Sequence, residues 1–183
     1  MLASTSPRRA ALLRAAGYRF KVRAPEVTER QRRGESASRL ARRLAMEKAR
    51  DVARRLRQGI ALGADTVVVI DGAVLGKPAN AASARRMLRR LSGRSHRVIT
   101  AVALCRAGGK AIGSASVVTT VKFKRLSAEE IEWYVGTGEP MDKAGGYGIQ
   151  GRGGLFVSSI RGSYSNVVGL PIETVHGFLG SPA

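Results

Sequence analysis

The residues Ile60-Ala-Leu-Gly-Ala-Asp-Thr-Val-Val-Val-Ile70 constrain the chain more than any other stretch. Their apolar, β-branched character predicts a strand buried on both faces, with Asp71-Gly72 as a hairpin turn and Ala73-Val-Leu75 as the return. Asp65 breaks that pattern. A carboxylate in a central strand loses much of its hydration, and such groups are rarely buried unless paired or bound to a metal. Asp65 therefore either marks a strand end, capping local N–H groups, or carries chemistry. Lys77-Pro78 follows the hairpin and can return a cation to the same edge, which favours chemistry.

At 183 residues the chain is read as one domain, 1–183. Its 44% hydrophobic content is that of a globular protein. Apolar runs such as 67–70 fall far short of the ~20 residues that cross a bilayer, so no membrane partner is expected. The start, M-L-A-S-T-S-P-R-R, has no long apolar region of the secretory kind, and a cytoplasmic location is expected. Cys105 is the single cysteine, and His96 and His176 are the two histidines, so any metal site must be hard and carboxylate-bound. Lys and Arg number 32 against 13 Asp and Glu, a formal charge of +19. The Arg pairs at 42–43, 54–55, 85–86 and 89–90 lie scattered in helix-like segments, which reads as solvated helix faces. Nucleic acid is thus not expected as a partner.

Along the chain, residues 1–4 predict a short strand feeding a helix through Ser-Thr-Ser-Pro, with Ser6 as N-cap, Pro7 at the first helical position and Gly17 as the stop. That turn aims backbone N–H groups and the helix dipole at one point, beside Ser4, Ser6, Arg8 and Arg9. It is either an anion cradle or an ordinary capped helix. Residues 19–23 read as a second strand, followed by a polar stretch containing Glu26 and Glu29. Ser36 caps a long helix with Leu40, Ala41, Leu44, Ala45, Val52, Ala53 and Leu56 at helical spacing. Lys48 sits in mid-helix, where it could simply be solvated and paired with Glu47. Asn80 caps a basic helix over 81–91. Strands are expected over 97–106 and 114–124, joined at Gly108-Gly109, and Ser127-Ala-Glu-Glu130 forms a capping box. The glycine-dense stretch 136–154, carrying Asp142, Lys143, Tyr147 and Gln150, reads as a binding loop. A hairpin over 155–168 turns at Arg161-Gly162, and a final helix covers 172–179. His96 lacks a nucleophile elbow and reads as structural.

The polar singularities are thus a phosphate cradle (Ser4, Ser6, Arg8, Arg9), two cations (Lys48, Lys77) and two carboxylates (Glu29, Asp65), an inventory for phosphoryl chemistry. The set L-A-S-T-S-P-R-R at 2–9, G-A-D-T-V-V at 63–68, G-K-P at 76–78, L-S-G-R-S-H at 91–96 and G-E-P-M-D-K-A-G-G-Y-G-I-Q-G at 138–151 resembles the Maf family of nucleoside triphosphate pyrophosphatases. The resemblance covers nearly the whole chain. It implies an α/β fold of the inosine-triphosphatase-like kind, a strongly twisted mixed sheet flanked by helices with a deep cleft between two lobes, commonly a homodimer. It also implies hydrolysis of a nucleoside triphosphate to the monophosphate and pyrophosphate with Mg²⁺ or Mn²⁺. Position by position, Asp65 matches the catalytic base. Glu29, Lys48 and Lys77 match the other charged members, Asp65 and Glu29 the metal site, and Ser6 and Arg9 the phosphate positions. Arg8, Thr66 and Gln150 match positions tied to substrate choice. The form D-K-A-G-x-Y-G-I-Q-G resembles the branch acting on dTTP and UTP. Thr28 stands where family members often place a second acid beside the glutamate. Alternatives are a 7-methyl-GTP-type pyrophosphatase of the same family and a basic nucleic-acid-binding regulator of cell division.

Overall fold

The computed structural model describes residues 1–182, an α/β fold in which a mixed six-stranded sheet is flanked by helices. The elements are β1 (Leu2–Ala3), α1 (Pro7–Ala15), α2 (Ala37–Arg54), β2 (Ile60–Ile70), β3 (Ala73–Leu75), α3 (Ala81–Leu91), β4 (Ser95–Arg106), β5 (Ala111–Phe123), α4 (Ala128–Gly136), β6 (Val157–Arg161), α5 (Tyr164–Val168) and α6 (Ile172–Leu179). Strand order is β1-β2-β4-β5-β6, with β3 paired to β2. No helix among the described residues is long and apolar enough to cross a membrane. The chain forms two compact units, one of residues 1–66, 100–117 and from Gly169 on, the other of 67–99 and 118–168.

In the first unit β1 runs parallel to the start of β2, Leu2 opposite Leu62 and Ala3 opposite Gly63. Leu2, Leu13, Leu62, Ala64, Val102, Leu104, Leu170 and Val175 form its core. Leu62 and Ala64 face that core, and alternation along the strand turns Gly63 and Asp65 the other way. That face meets α2, whose buried stripe is Leu40, Ala41, Leu44, Ala45, Lys48, Ala49, Val52 and Ala53. Gly63 makes the approach possible: a Cβ there would lie 2.2 Å from the Ala45 carbonyl oxygen and 2.6 Å from the Ala49 nitrogen. The expected strand over 19–23 is reduced to one bridge, Leu2 with Val22, bonded on either side by Leu2 N to Lys21 O and Arg23 N to Leu2 O. Because β1 has two residues before the turn into α1, it offers no longer edge. Leu56 likewise falls outside α2, which ends at Arg54.

In the second unit β2 turns into β3 with Ile70 opposite Ala73. Asp71 and Gly72 both take positive φ, 52° and 74°, as a two-residue hairpin of the type that matches strand twist requires. Ser127 and Glu130 form the expected capping box on α4, and Asn80 and Ser83 form another on α3. Of residues 163–168, expected as a strand, Tyr164–Val168 instead form the short helix α5. The Ser163 hydroxyl accepts from Asn166 N, and the buried Asn166 side chain donates to Val98 O at 3.1 Å and Thr119 Oγ1 at 2.9 Å. Such local side-chain bonds outcompete the strand preference of Val167 and Val168.

The core of this unit carries an aromatic cluster of His96, Phe123, Tyr134, Tyr147 and Phe156, packed edge to face. His96 is buried, with Nε2 2.7 Å from the Tyr147 hydroxyl and no hydrogen-bond partner for Nδ1. Burial pushes its pKa down from 6.5 to about 4. The unfolded chain therefore takes up this proton first, so the stability tied to neutral His96 is complete above pH 6.5 and is lost as pH falls towards 4. Denaturant unfolding of wild type and His96→Leu at pH 7 and pH 5 tests this. The wild type should lose about 2 kcal/mol more than the variant over that interval. Equal losses would show that His96 does not contribute the pH dependence.

Candidate active site

Asp65, the sixth residue of β2, is 6% exposed, so it does not mark a strand end. Its Oδ1 accepts from Lys48 Nζ at 2.7 Å, and Lys48 also pairs with Glu29 Oε1 at 2.5 Å. Lys48 is itself buried and does not use Glu47, which pairs with Arg43 and Arg32. One ammonium thus joins an acid on the strand to an acid on the polar stretch before α2. Burial raises the Asp65 pKa above the ordinary carboxylate value, while the charges of Lys48 and Arg9 oppose that rise. The stretch bearing Glu29 is fixed to α2 by Arg43. Its Nε and Nη2 bind the two oxygens of Glu35 at 2.7 and 2.8 Å, and Nη2 also donates to Arg30 O at 2.9 Å, one residue after Glu29.

Ser6 caps α1 as expected, and Pro7 opens it. The cradle differs from the expectation in that some N–H groups are already used: Ser6 N donates to Ser4 Oγ, and Arg9 N to Ser6 Oγ. The serines instead help to hold the turn and Arg9. The Arg9 guanidinium donates through Nε to Gly169 O at 2.8 Å, through Nη1 to Ser4 Oγ at 3.2 Å and through Nη2 to Thr66 Oγ1 at 3.1 Å. Thr66 Oγ1 lies 3.0 Å from Thr100 Oγ1. Three of five guanidinium N–H groups are accounted for, which fixes the plane of the fork and leaves two donors for an anion. Burial lowers the Arg9 pKa, and the nearby Asp65 and Glu29 charges counter it. Arg8 is half-buried beside it on α1.

Among the described residues no three His, Cys, Asp or Glu groups gather as a metal cage. Glu29 and Asp65, joined at one cation, do fit an ion that takes one or two carboxylates and completes its shell with water and phosphate oxygens, as Mg²⁺ does.

The first unit thus brings together Ser4, Ser6, Arg9, Thr66, Glu29, Lys48 and Asp65. Lys77 and Gln150 belong to the second unit and are exposed. There the glycine-dense stretch is folded into three short 3₁₀ turns, Glu139–Asp142, Ala144–Gly146 and Arg152–Phe156. They close around Glu139, whose carboxylate accepts from Tyr134 Oη, Arg152 N and Gly153 N. A Cβ on Gly151 would lie 2.4 Å from Glu139 Oε1, so at least this glycine serves the packing of the loop itself. Sequence reasoning missed Glu139, Thr100, Gly169 and the Arg43–Glu35 pair. Only the presence of acids, Glu139 and Asp142, in a glycine-dense stretch hinted at Glu139.

The description "Maf-like protein" belongs to the family model that matches residues 1–181. A dTTP/UTP pyrophosphatase from Symbiobacterium thermophilum is 56% identical over 173 residues, 94% of this chain and 88% of that protein. Proteins of the same name from Anaeromyxobacter dehalogenans and Salmonella typhimurium are 53% and 52% identical, covering 98% and 97% of this chain and 91% and 90% of their own. A solved nucleoside-triphosphatase / dITP/XTP pyrophosphatase from Mycobacterium abscessus is 19% identical with a TM-score of 0.41, covering 69% of this chain and 74% of its own.

Proposed function

The chain belongs to the Maf-like family, and from that premise we propose that it is a pyrophosphatase that hydrolyses dTTP and UTP to the monophosphate and pyrophosphate. The observation that carries this reading is the buried Asp65, held by Lys48 in the unit that also holds the fixed Arg9 fork. A phosphoryl transfer needs charge compensation and a positioned water more than a covalent nucleophile.

In this reading Asp65 accepts a proton from the attacking water. The water oxygen bonds to phosphorus, the α–β anhydride P–O bond breaks, and the electron pair leaves with pyrophosphate. A carboxylate whose pKa is raised by burial is a better base than an exposed one, while the charge and hydrogen bond of Lys48 oppose that rise and favour the ionised form. The Arg9 fork and the α1 turn of Ser4 and Ser6 bind phosphate oxygens, with Arg8 beside them. Glu29 and Asp65 would hold Mg²⁺ or Mn²⁺, which when bound supplies positive charge at the phosphate oxygens. Lys77 as a further phosphate cation, and Thr66 and Gln150 in substrate choice, are proposed on the family resemblance. An amide can both donate and accept, as the O4/N3–H edge of uracil or thymine requires. A homodimer, a cytoplasmic location and the action of 1–183 as one domain are proposed on the same ground.

The test is a panel of canonical and 7-methyl-GTP triphosphates with Mg²⁺ or Mn²⁺, scored separately for pyrophosphate and orthophosphate. The expected result is pyrophosphate from dTTP and UTP. Preference for 7-methyl-GTP would overturn the substrate assignment, and orthophosphate as first product would overturn the reaction class.

A further inference from the structure

Beside the stretch that carries Glu29 the first unit has an open surface pocket of about 560 Å³ lined by Thr28, Arg30, Gln31, Arg32, Arg33, Arg43 and Glu47. Four of its seven lining residues are arginines, and the proposed mechanism uses none of them. Arg43 is committed to Glu35 and Glu47, and Arg32 pairs with Glu47. The Arg30 and Arg33 guanidinium groups, by contrast, form no ion pair or hydrogen bond among the described residues. Counting the four arginines against Glu35 and Glu47, the site carries an excess of two positive charges that no carboxylate among the described residues answers.

The walls are preorganised. Arg43 ties Arg30 O and Glu35 to α2, and Gln31 Nε2 donates to Glu35 O at 2.8 Å, so the loop backbone between the two open arginines is anchored from both ends. Glu35 stays ionised through ordinary acid conditions, its pKa held down to about 2 by Arg43. A volume of this size suits a small ligand, whereas a duplex backbone would ask for an extended basic stripe. Guanidinium forks match the bidentate geometry of phosphate oxygens.

We propose that Arg30 and Arg33 form a second anion site, separate from the Asp65 centre, that takes a condensed phosphate such as pyrophosphate or tripolyphosphate. The experiment is calorimetric titration of the full chain with inorganic tripolyphosphate, in chelator so that nothing is hydrolysed. Wild type, Arg30→Gln/Arg33→Gln, Arg9→Gln and a control of equal charge, Arg86→Gln/Arg89→Gln on α3, are compared. Wild type and control should show two sites per chain. The Arg30/Arg33 variant should lose one, its affinity weakened at least tenfold, and Arg9→Gln should lose the other. The loop variant leaves the Arg43–Glu35 pair in place, so an unchanged thermal midpoint checks its fold. Equal weakening in the control would assign the effect to diffuse charge and overturn the proposal, as would unchanged binding in Arg30→Gln/Arg33→Gln. Arg30/Arg33-dependent binding of a single-stranded oligonucleotide without binding of tripolyphosphate would overturn it in favour of nucleic acid. Loss in Arg9→Gln of the same site that Arg30→Gln/Arg33→Gln removes would show one shared site and overturn the proposal, whereas loss of the other site alone supports it.

Discussion

Asp65→Asn should lower the rate of pyrophosphate release from dTTP about 10³-fold while KM changes only a few-fold. The magnitude is that of removing a general base. The substitution keeps shape and an oxygen that can still accept from Lys48 Nζ, at present 2.7 Å away. Lys48 also retains Glu29 at 2.5 Å, so a buried ammonium is not left without a counter-charge, the situation that would cost several kcal/mol. The Arg9 fork depends on Ser4, Thr66 and Gly169 and should be unmoved, which is why nucleotide binding is expected to survive. Steady-state kinetics with a binding titration and a thermal melt separate the outcomes. A rate within tenfold of wild type would remove Asp65 as the base. A rate loss accompanied by a large drop in melting temperature would mark the acid as a structural partner of Lys48.

What the sequence made legible follows the range of each interaction. The 60–70 strand, its two-residue turn, the caps at Ser6, Ser36, Asn80 and Ser127 and the helix 172–179 are local, set by propensity and by side chains that bond three residues away. Where local signals competed, as in Ser163-Tyr-Ser-Asn-Val-Val168, pattern reading chose the strand. The buried amide of Asn166 decided for a helix through partners 68 and 47 residues away. The site divides in the same way. Asp65 announced itself by being an acid in an apolar run. Lys48 did not, because a lysine in mid-helix looks solvated until the strand that it meets is known. Thr100 and Gly169, which complete the setting of Arg9, are separated from it by 91 and 160 residues respectively and have no local mark.

Gly63→Ala should be the most damaging single-methyl addition in the first unit, and it tests whether fold and site depend on the same contact. The new Cβ would meet Ala45 O at 2.2 Å, Ala49 N at 2.6 Å and Ala49 Cβ at 3.0 Å. Two of these are backbone atoms of α2, so no rotamer change relieves the clash and the helix must move away from β2. Overpacking of this kind costs about 3 kcal/mol, roughly 6–12 °C in melting temperature for a chain of this size. Lys48 lies one residue before Ala49 and moves with the helix, whereas Asp65 stays with the strand, two residues beyond Gly63 on the same face. The pair should lengthen, and turnover should fall at least tenfold even at temperatures where the variant is folded. Gly177→Ala provides the contrast: it lies inside α6 with nothing within 4 Å of its added Cβ, so it should raise the melting temperature slightly and leave turnover unchanged. A Gly63→Ala protein with wild-type melting and turnover would mean that α2 can retreat without disturbing Lys48. The close approach of helix and strand would then not be what sets the Lys48–Asp65 pair.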